Sequence, residues 1–241
     1  MKKICRFVFL TPATLLALLC LASCKSHPEP QVFTAPTVAN PIVPSPRAAI
    51  QPARTTLIDT NLFNGKNLSG WKITDFGGHG EILVENGAIK IEMGAELTGI
   101  HWTNAAILPN TNYEIELDAM KREGGDFFCA LTFPVSNSFC SLIVGGWGGS
   151  VVGLSSLDGM DASENDTSRS LYFEKDRWFH IRLQVQPEKI VVWIDQEKII
   201  DVGIAGRKVA MRTGEIMESM PLGIATWQTS ASVKNIRLKT L

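Results

Sequence analysis

The segment from Gly145 to Thr167 combines one tryptophan with a dense run of acidic and hydroxyl side chains. Trp147 stands between two pairs of glycine, so no bulky neighbour in the sequence covers its indole ring. The C–H faces of sugars stack on such rings, and sugar hydroxyls need a few placed polar groups. The loop that follows offers such groups as Asp158, Asp161, Glu164 and Asn165. We therefore predict that Trp147 and Asn165 bind a carbohydrate.

Two other interpretations of this segment stay open. Its oxygen atoms could ligate a hard cation such as Ca²⁺. Their spacing does not follow the alternate-position pattern of a calcium loop, however, so we expect no metal and no cofactor. Alternatively, the loop is only a solvated connection and Trp147 lies in the core.

A second set of acids, Glu114, Glu116 and Asp118, alternates along one predicted strand. Residues two apart on a strand lie about 6.6–6.8 Å apart, which is within the range of paired glycosidase carboxylates. The alternative is the charged outward face of a half-exposed strand. We favour the charged face.

The histidines form no metal motif. His79 lies in a glycine-rich loop, His180 alternates with Arg182 on a polar strand face, and His101 lies between turn-rich segments. His101 is the candidate general base if the protein is an enzyme. The sequence contains neither a glycine-rich phosphate loop nor a nucleophile elbow.

The elements that must position these residues are predicted to be strands. Alternation of apolar and polar residues recurs in 113–119, 179–185, 190–194 and 233–238. Asn86-Gly87 between two such runs is a strong hairpin signal. Roughly ten to twelve short strands indicate an all-β sandwich or jelly roll.

The first 56 residues are predicted to be an export signal followed by a linker. Residues 1–23 have a basic start, an apolar stretch and a small-residue cleavage site, and the ending Leu21-Ala22-Ser23-Cys24 resembles the lipobox of bacterial lipoproteins. We predict that Cys24 is acylated and anchors the protein to a membrane of the bacterial cell envelope. Residues 24–56 contain seven prolines and no glycine, which is typical of an extended linker. The folded domain is then 57–241; an ordinary signal peptide with a chance cysteine is the alternative.

Charge excludes one class of partner. Removal of the signal segment takes away Lys2, Lys3 and Arg6, leaving 20 basic and 24 acidic residues. Nucleic-acid binding depends on Lys and Arg at phosphates, so no nucleic-acid partner is expected. The oligomeric state is left open.

Two cysteines, Cys129 and Cys140, remain in the predicted domain. A disulfide is chemically permitted outside the inner membrane. If a hairpin turns at Ser136 with regular strand pairing, the two cysteine side chains lie on opposite faces of the sheet. A bulge at Pro134 would instead place them on the same face. A disulfide and two buried thiols both remain open.

The segment Leu62–Trp71, LFNGKNLSGW, resembles the opening of the bacterial 3-keto-disaccharide hydrolase domain family. Segments at 84–89, 178–201, 221–224 and 233–238 agree with that family in the same order. The resemblance implies a concanavalin A-like jelly-roll β-sandwich of two antiparallel sheets and a role in glycan processing. Where the family places an "NSG" segment and a histidine loop, this chain reads Glu123–Cys129 and Ala225–Ser230. The resemblance therefore transfers no catalytic residue.

Three hypotheses follow. The first is a glycan hydrolase whose carbohydrate ligand lies in a cleft at Trp147. Its assigned residues are Asp126, Asp158, Asp161 and Glu164 as groups that orient or protonate the substrate, His101 as base, and Trp102 and Trp227 as further cleft walls. The second is a lectin-like module that binds sugar without chemistry. The third is a protein-binding scaffold of the cell envelope.

Overall fold

The computed structural model describes residues 58–241. The predicted signal peptide, the predicted lipidation site Cys24 and the predicted proline-rich linker lie outside the described residues. Residues 58–241 contain fifteen strands and two short 3-10 helices, Ala105–Ile107 and Glu215–Ser219. The strands are β1 Asp59–Asn61, β2 Trp71–Ile73, β3 Ile82–Glu85, β4 Ala88–Ile91, β5 Leu97–Trp102, β6 Tyr113–Gly124, β7 Cys129–Val135, β8 Ser138–Gly146, β9 Val151–Ser155, β10 Arg169–Ser170, β11 Trp178–Val185, β12 Lys189–Ile194, β13 Glu197–Gly203, β14 Gly223–Trp227 and β15 Thr229–Thr240.

The strands form two antiparallel sheets. One has eight strands in the order β13-β12-β11-β6-β15-β4-β3, with β1 beside β15. The other has seven strands in the order β10-β9-β8-β7-β14-β5-β2. The predicted all-β jelly-roll sandwich is confirmed. No helix in residues 58–241 has the length and apolar character needed to span a membrane.

The sandwich core follows from period-two alternation. In β6, Tyr113, Ile115 and Leu117 are buried between the sheets, whereas Glu116 and Asp118 are half-buried on the other side. Each fully buried Ile or Leu contributes about 1.5–3 kcal/mol to folding. This burial fixes the strand register, because a slip of one residue would place the acids in the core.

The Asn86-Gly87 hairpin is confirmed. Glu85 of β3 pairs with Ala88 of β4, and the two residues between them have φ of 53° and 76°. Positive φ at both positions is what a type I′ turn requires, and Asn followed by Gly adopts it at low cost.

The open question about the cysteines is answered by the structure. Cys129 and Cys140 are both buried and free. Cys129 is opposite Val144 and Cys140 is opposite Phe133, so the two thiols are separated along the β7–β8 ladder. Burial raises the pKa of each thiol to about 12.

Candidate functional site

The outward face of the seven-stranded sheet carries a row of residues across five strands, four of them Gly or Ala and the fifth Ile143. The registered positions in the row are Gly99, Ala225, Ala130, Ile143 and Gly153. The alternate residues on the same strands, such as Ile224 and Leu131, belong to the core between the sheets. Three members of the row join a separate apolar cluster with Leu97, Phe76 and Ala162.

A pocket of about 400 Å³ lies on this outward face, with Ile143 of the row in its lining. Leu97 and Ile143 provide apolar surface. Phe127, Trp147 and Trp227 provide aromatic surface, and residues 212–216 complete the lining. The size and apolar lining with a few polar groups are those of a small-molecule site.

Trp147 lies in the pocket lining and not between the sheets. It follows β8, has a φ of 46° and exposes 40% of its surface. The turn that carries it is held against Asp126. The Gly148 N–H donates to Asp126 Oδ2 at 3.3 Å, and the Phe127 N–H donates to Asp126 Oδ1 at 2.8 Å. The Asp126 carboxylate is therefore fixed beside the indole.

Three pocket carboxylates have no ion-pair partner within the described part of the chain. Glu96, Asp126 and Glu215 line the pocket. Among residues 58–241, no Lys, Arg or His nitrogen lies within 4.0 Å of any of them. The described residues also contain no group of three His, Cys, Asp or Glu residues arranged to hold a metal ion. The three carboxylates are thus separate groups around one cavity.

Three hydroxyls and one guanidinium add polar groups to the pocket, those of Ser141, Ser155, Thr213 and Arg212. The Ser141 hydroxyl lies 2.8 Å from the Thr132 hydroxyl, and Ser155 Oγ donates to Asp161 Oδ1 at 3.3 Å. The other oxygen of Asp161 pairs with Arg212 Nη1 at 2.8 Å. Asp161 therefore stands behind the pocket lining and holds Arg212.

The other predicted residues of the acid loop contact the protein itself. Asp158 accepts from the Lys208 N–H and pairs with Arg207, which together lower the pKa of its carboxyl group. Glu164 is exposed and accepts from the Asp161 N–H at 3.4 Å. Neither side chain lines the pocket.

Asn165 is buried and braces the loop. Its amide nitrogen donates to the carbonyls of Leu154, Met160 and Asp161 at 2.7–3.1 Å. Its Oδ1 accepts from the N–H and the hydroxyl of Thr167. These bonds keep the side chain away from the pocket.

His101 and Trp102 end strand β5 outside the pocket. His101 Nδ1 lies 3.0 Å from Thr74 Oγ1, and burial, followed by the charge of Lys72, lowers the pKa of the imidazole. Trp102 packs edge-on against Trp71 at 5.3 Å and donates its Nε1–H to the Asn104 carbonyl. Of the predicted residues, the structure brings Asp126, Trp147 and Trp227 together in the pocket, with Asp161 behind Arg212.

The acids of β6 lie on the opposite sheet. Glu114 pairs with Lys239 at 2.6 Å and Asp118 with His180 at 2.8 Å. Glu116 lies 3.8 Å from Arg237. Each carboxylate thus faces a basic side chain on a neighbouring strand, as in the favoured interpretation of a charged face.

Sequence reasoning missed Glu96, Arg212, Glu215 and the two serines. Glu96 immediately precedes β5, and Glu215 begins a five-residue 3-10 helix. No spacing links them in the sequence, because it is the strand order that brings them together. The one signal available in the sequence is the alternation along β8 and β9. It places Ser141 and Ser155 on the sheet face opposite the core residues Leu142 and Leu154.

The model of the 3-keto-α-glucoside-1,2-lyase-like domain family matches residues 59–239. The chain belongs to this family. The predicted resemblance is confirmed, and membership places the chain among carbohydrate-acting domains. No curated protein matches the sequence.

Several solved structures are similar to this family member at low sequence identity. The carbohydrate-binding module CBM66 of Bacillus subtilis is 11% identical, with 71% of this chain and 96% of that chain covered and a TM-score of 0.49. A putative glycosyl hydrolase of Parabacteroides distasonis is 14% identical, with 76% and 94% covered and a TM-score of 0.48. Domain 4 of an extracellular arabinanase of Geobacillus stearothermophilus, solved with arabinotriose, is 13% identical, with 70% and 82% covered and a TM-score of 0.47.

Proposed function

We propose that this domain cleaves the glycosidic bond of a 3-keto-glycoside bound in the pocket between Trp147 and Trp227. The observation that carries the proposal is the Asp126 carboxylate, fixed beside an exposed indole in a cavity that two further carboxylates line. The indole supplies a stacking surface for a sugar ring, and the carboxylates supply acid and base. Membership of a family described as 1,2-lyase-like supports the reaction type.

The chemistry uses the acidity that a 3-keto group gives to the C2–H bond. Asp126 takes the C2 proton, and the electron pair of the C2–H bond forms the C1–C2 double bond. The C1–O bond breaks, and the leaving oxygen takes a proton from a second pocket carboxyl group, that of Glu96 or Glu215. Addition of water across the new double bond gives net hydrolysis.

Activity on defined substrates tests the proposal. The protein is incubated with 3-keto-trehalose and 3-keto-sucrose between pH 5 and 8, and release of the unoxidised sugar is measured. Asp126→Asn should lower kcat about 10²–10⁴-fold, the usual contribution of a positioned acid or base. Glu116→Gln, on the opposite sheet, is the matched control and should keep wild-type kcat. Absence of cleavage of every keto-glycoside would refute the proposal.

Sugar binding without turnover is the second candidate. The pocket lining contains no His, Lys, Cys or Tyr among the described residues, which limits its proton-transfer groups to three carboxylates. Calorimetric binding of a glycan without cleavage, lost in Trp147→Ala, would select this function.

We also infer that the protein acts at the bacterial cell envelope, held by acylated Cys24. The support is the sequence order of basic start, apolar stretch and Leu-Ala-Ser-Cys ending. Cys24→Ser should abolish palmitate labelling and move the protein from the membrane fraction to the soluble fraction. Unchanged labelling would exclude acylation at this residue.

A further inference from the structure

Removal of the C2 proton places negative charge on the 3-keto oxygen. The electron pair of the C2–H bond spreads onto that oxygen as an enolate before the C1–O bond breaks. Placed donors or positive charge at a developing oxyanion are often the largest catalytic contribution. Three carboxylates line this pocket without an ion-pair partner among residues 58–241, so the developing charge is stabilised against an acidic background. A cationic group in the lining suits that task best.

Arg212 is the one basic side chain in the pocket lining of the described residues. The two serine hydroxyls are already engaged, Ser155 with Asp161 and Ser141 with Thr132. Asp161 occupies only Nη1 of Arg212, within the hydrogen bonds and ion pairs of residues 58–241. The Nη2 and Nε donors of the guanidinium are left for a ligand.

A chain of contacts holds Arg212 in place. Asp161 forms an ion pair through one oxygen with Arg212 and accepts a hydrogen bond on the other from the buried Ser155 at the end of β9. The two contacts restrict the carboxylate, and the ion pair draws the half-exposed guanidinium toward it. A side chain that is positioned before the reaction costs little reorganisation when charge develops.

The segment that carries Arg212 is fixed as well. We call residues 207–211 the strap. Ser156 and Ala210 exchange two backbone hydrogen bonds, and the Asp158 N–H donates to the Lys208 carbonyl. At the start of the strap, Arg207 pairs with Asp158 and makes two bonds of 2.9 Å to Asp166. The acid loop thus anchors the strap that leads directly into Arg212.

We propose that Arg212 is a catalytic residue that stabilises the enolate oxygen, and that Asp161 is its positioning residue. This inference rests on the proposed function, since it concerns the same pocket and the same C2–H removal. In this inference the acids of the loop hold Arg212 and the strap in place, and Asp126 is the base.

Kinetics on a keto-glycoside that the wild-type protein cleaves test the inference. Arg212→Ala should lower kcat about 10²–10³-fold, the loss typical of one oxyanion donor, with KM within threefold of wild type. Guanidinium chloride, added below the concentrations that unfold the protein, should restore part of kcat in Arg212→Ala and none in Asp126→Asn. A purely structural arginine would not show this rescue.

Asp161→Asn provides a second and milder variant. It keeps the shape of the side chain but removes its charge, and it should lower kcat about tenfold by loosening Arg212. Thermal unfolding of both variants checks that the fold is intact. If Arg212→Ala does not fold, Asp161→Asn and Arg212→Lys decide the question, and wild-type kcat in both overturns the inference.

The outcomes separate the two proposals. A kcat within threefold of wild type in Arg212→Ala, or a raised KM with unchanged kcat, overturns the role of Arg212 while cleavage itself stands. Failure of the wild-type protein to cleave any keto-glycoside overturns the proposed function, and this inference with it.

Discussion

Replacement of Trp147 separates the contribution of its ring from that of its backbone. The residue has a φ of 46°, in the left-handed region that favours glycine, and it exposes 40% of its surface. A tryptophan offers about 250 Å², so about 100 Å² of this indole is open to a ligand. At about 25 cal/mol per Å², covering half to all of it contributes about 1.2–2.5 kcal/mol. Loss of the ring should thus raise Kd about 8- to 70-fold.

The comparison of Trp147→Ala with Trp147→Gly gives the control. Both variants remove the ring and should weaken binding of 3-keto-trehalose equally, measured by calorimetry in an Asp126→Asn background that prevents turnover. In an ordinary extended or helical position, glycine is less stable than alanine by roughly 0.5–1 kcal/mol. Here the order should reverse, with the glycine variant about 1 kcal/mol more stable in urea unfolding, because alanine is strained at positive φ.

Two results would refute this reasoning. A Kd within twofold of the parent in either variant would show that the exposed indole is not a ligand surface. A Kd that differs between the variants in proportion to their stability would show that binding follows the integrity of the fold and not the ring.

Three further predictions concern buried or half-buried groups. Cys129 and Cys140, with pKa values raised to about 12 by burial, should react with a thiol reagent only as fast as the domain unfolds; rapid labelling of the native protein would contradict this. Lys239→Met should destabilise the domain by about 1–3 kcal/mol in urea unfolding, because it removes a partner of the buried Glu114 carboxylate; an unchanged midpoint would argue against that pair. Burial, with help from a nearby lysine, lowers the pKa of His101, so the unfolded chain binds the proton more strongly. Stability should therefore fall as the pH drops below about 6.5 and level off below the folded pKa, and His101→Asn should remove this component of the pH dependence.

The fold was predictable because its signals are local. The alternation of Tyr113, Ile115 and Leu117 with acids places each side chain on one face of a strand from neighbouring residues alone. The Asn86-Gly87 turn needs only two residues. Which strands pair, however, depends on contacts between segments far apart in the sequence, such as β6 with β15.

The site was predictable in part of its aromatic lining and at Asp126. Trp147 stands out because its neighbours are glycines, and this local feature does correspond to an exposed ring. Glu96 and Glu215 are ordinary acids in sequence, separated by more than a hundred residues. They reach the same cavity because β14 pairs with β5 and β7, which sets distant loops at one end of the sheet.

The acid loop shows why composition alone does not distinguish free carboxylates from ion-paired ones. A run of acids after an exposed tryptophan predicts a cluster of free carboxylates, and the sequence at 158–166 contains nothing basic to oppose it. The opposing charge comes from the strap, where Arg207 pairs with Asp158 and Asp166. Acids paired in this way are suited to holding a segment in place, because proton transfer would break the pairs. Among residues 58–241, Asp126 has no such ion-pair partner, which is why we propose it as the group that exchanges a proton with a ligand.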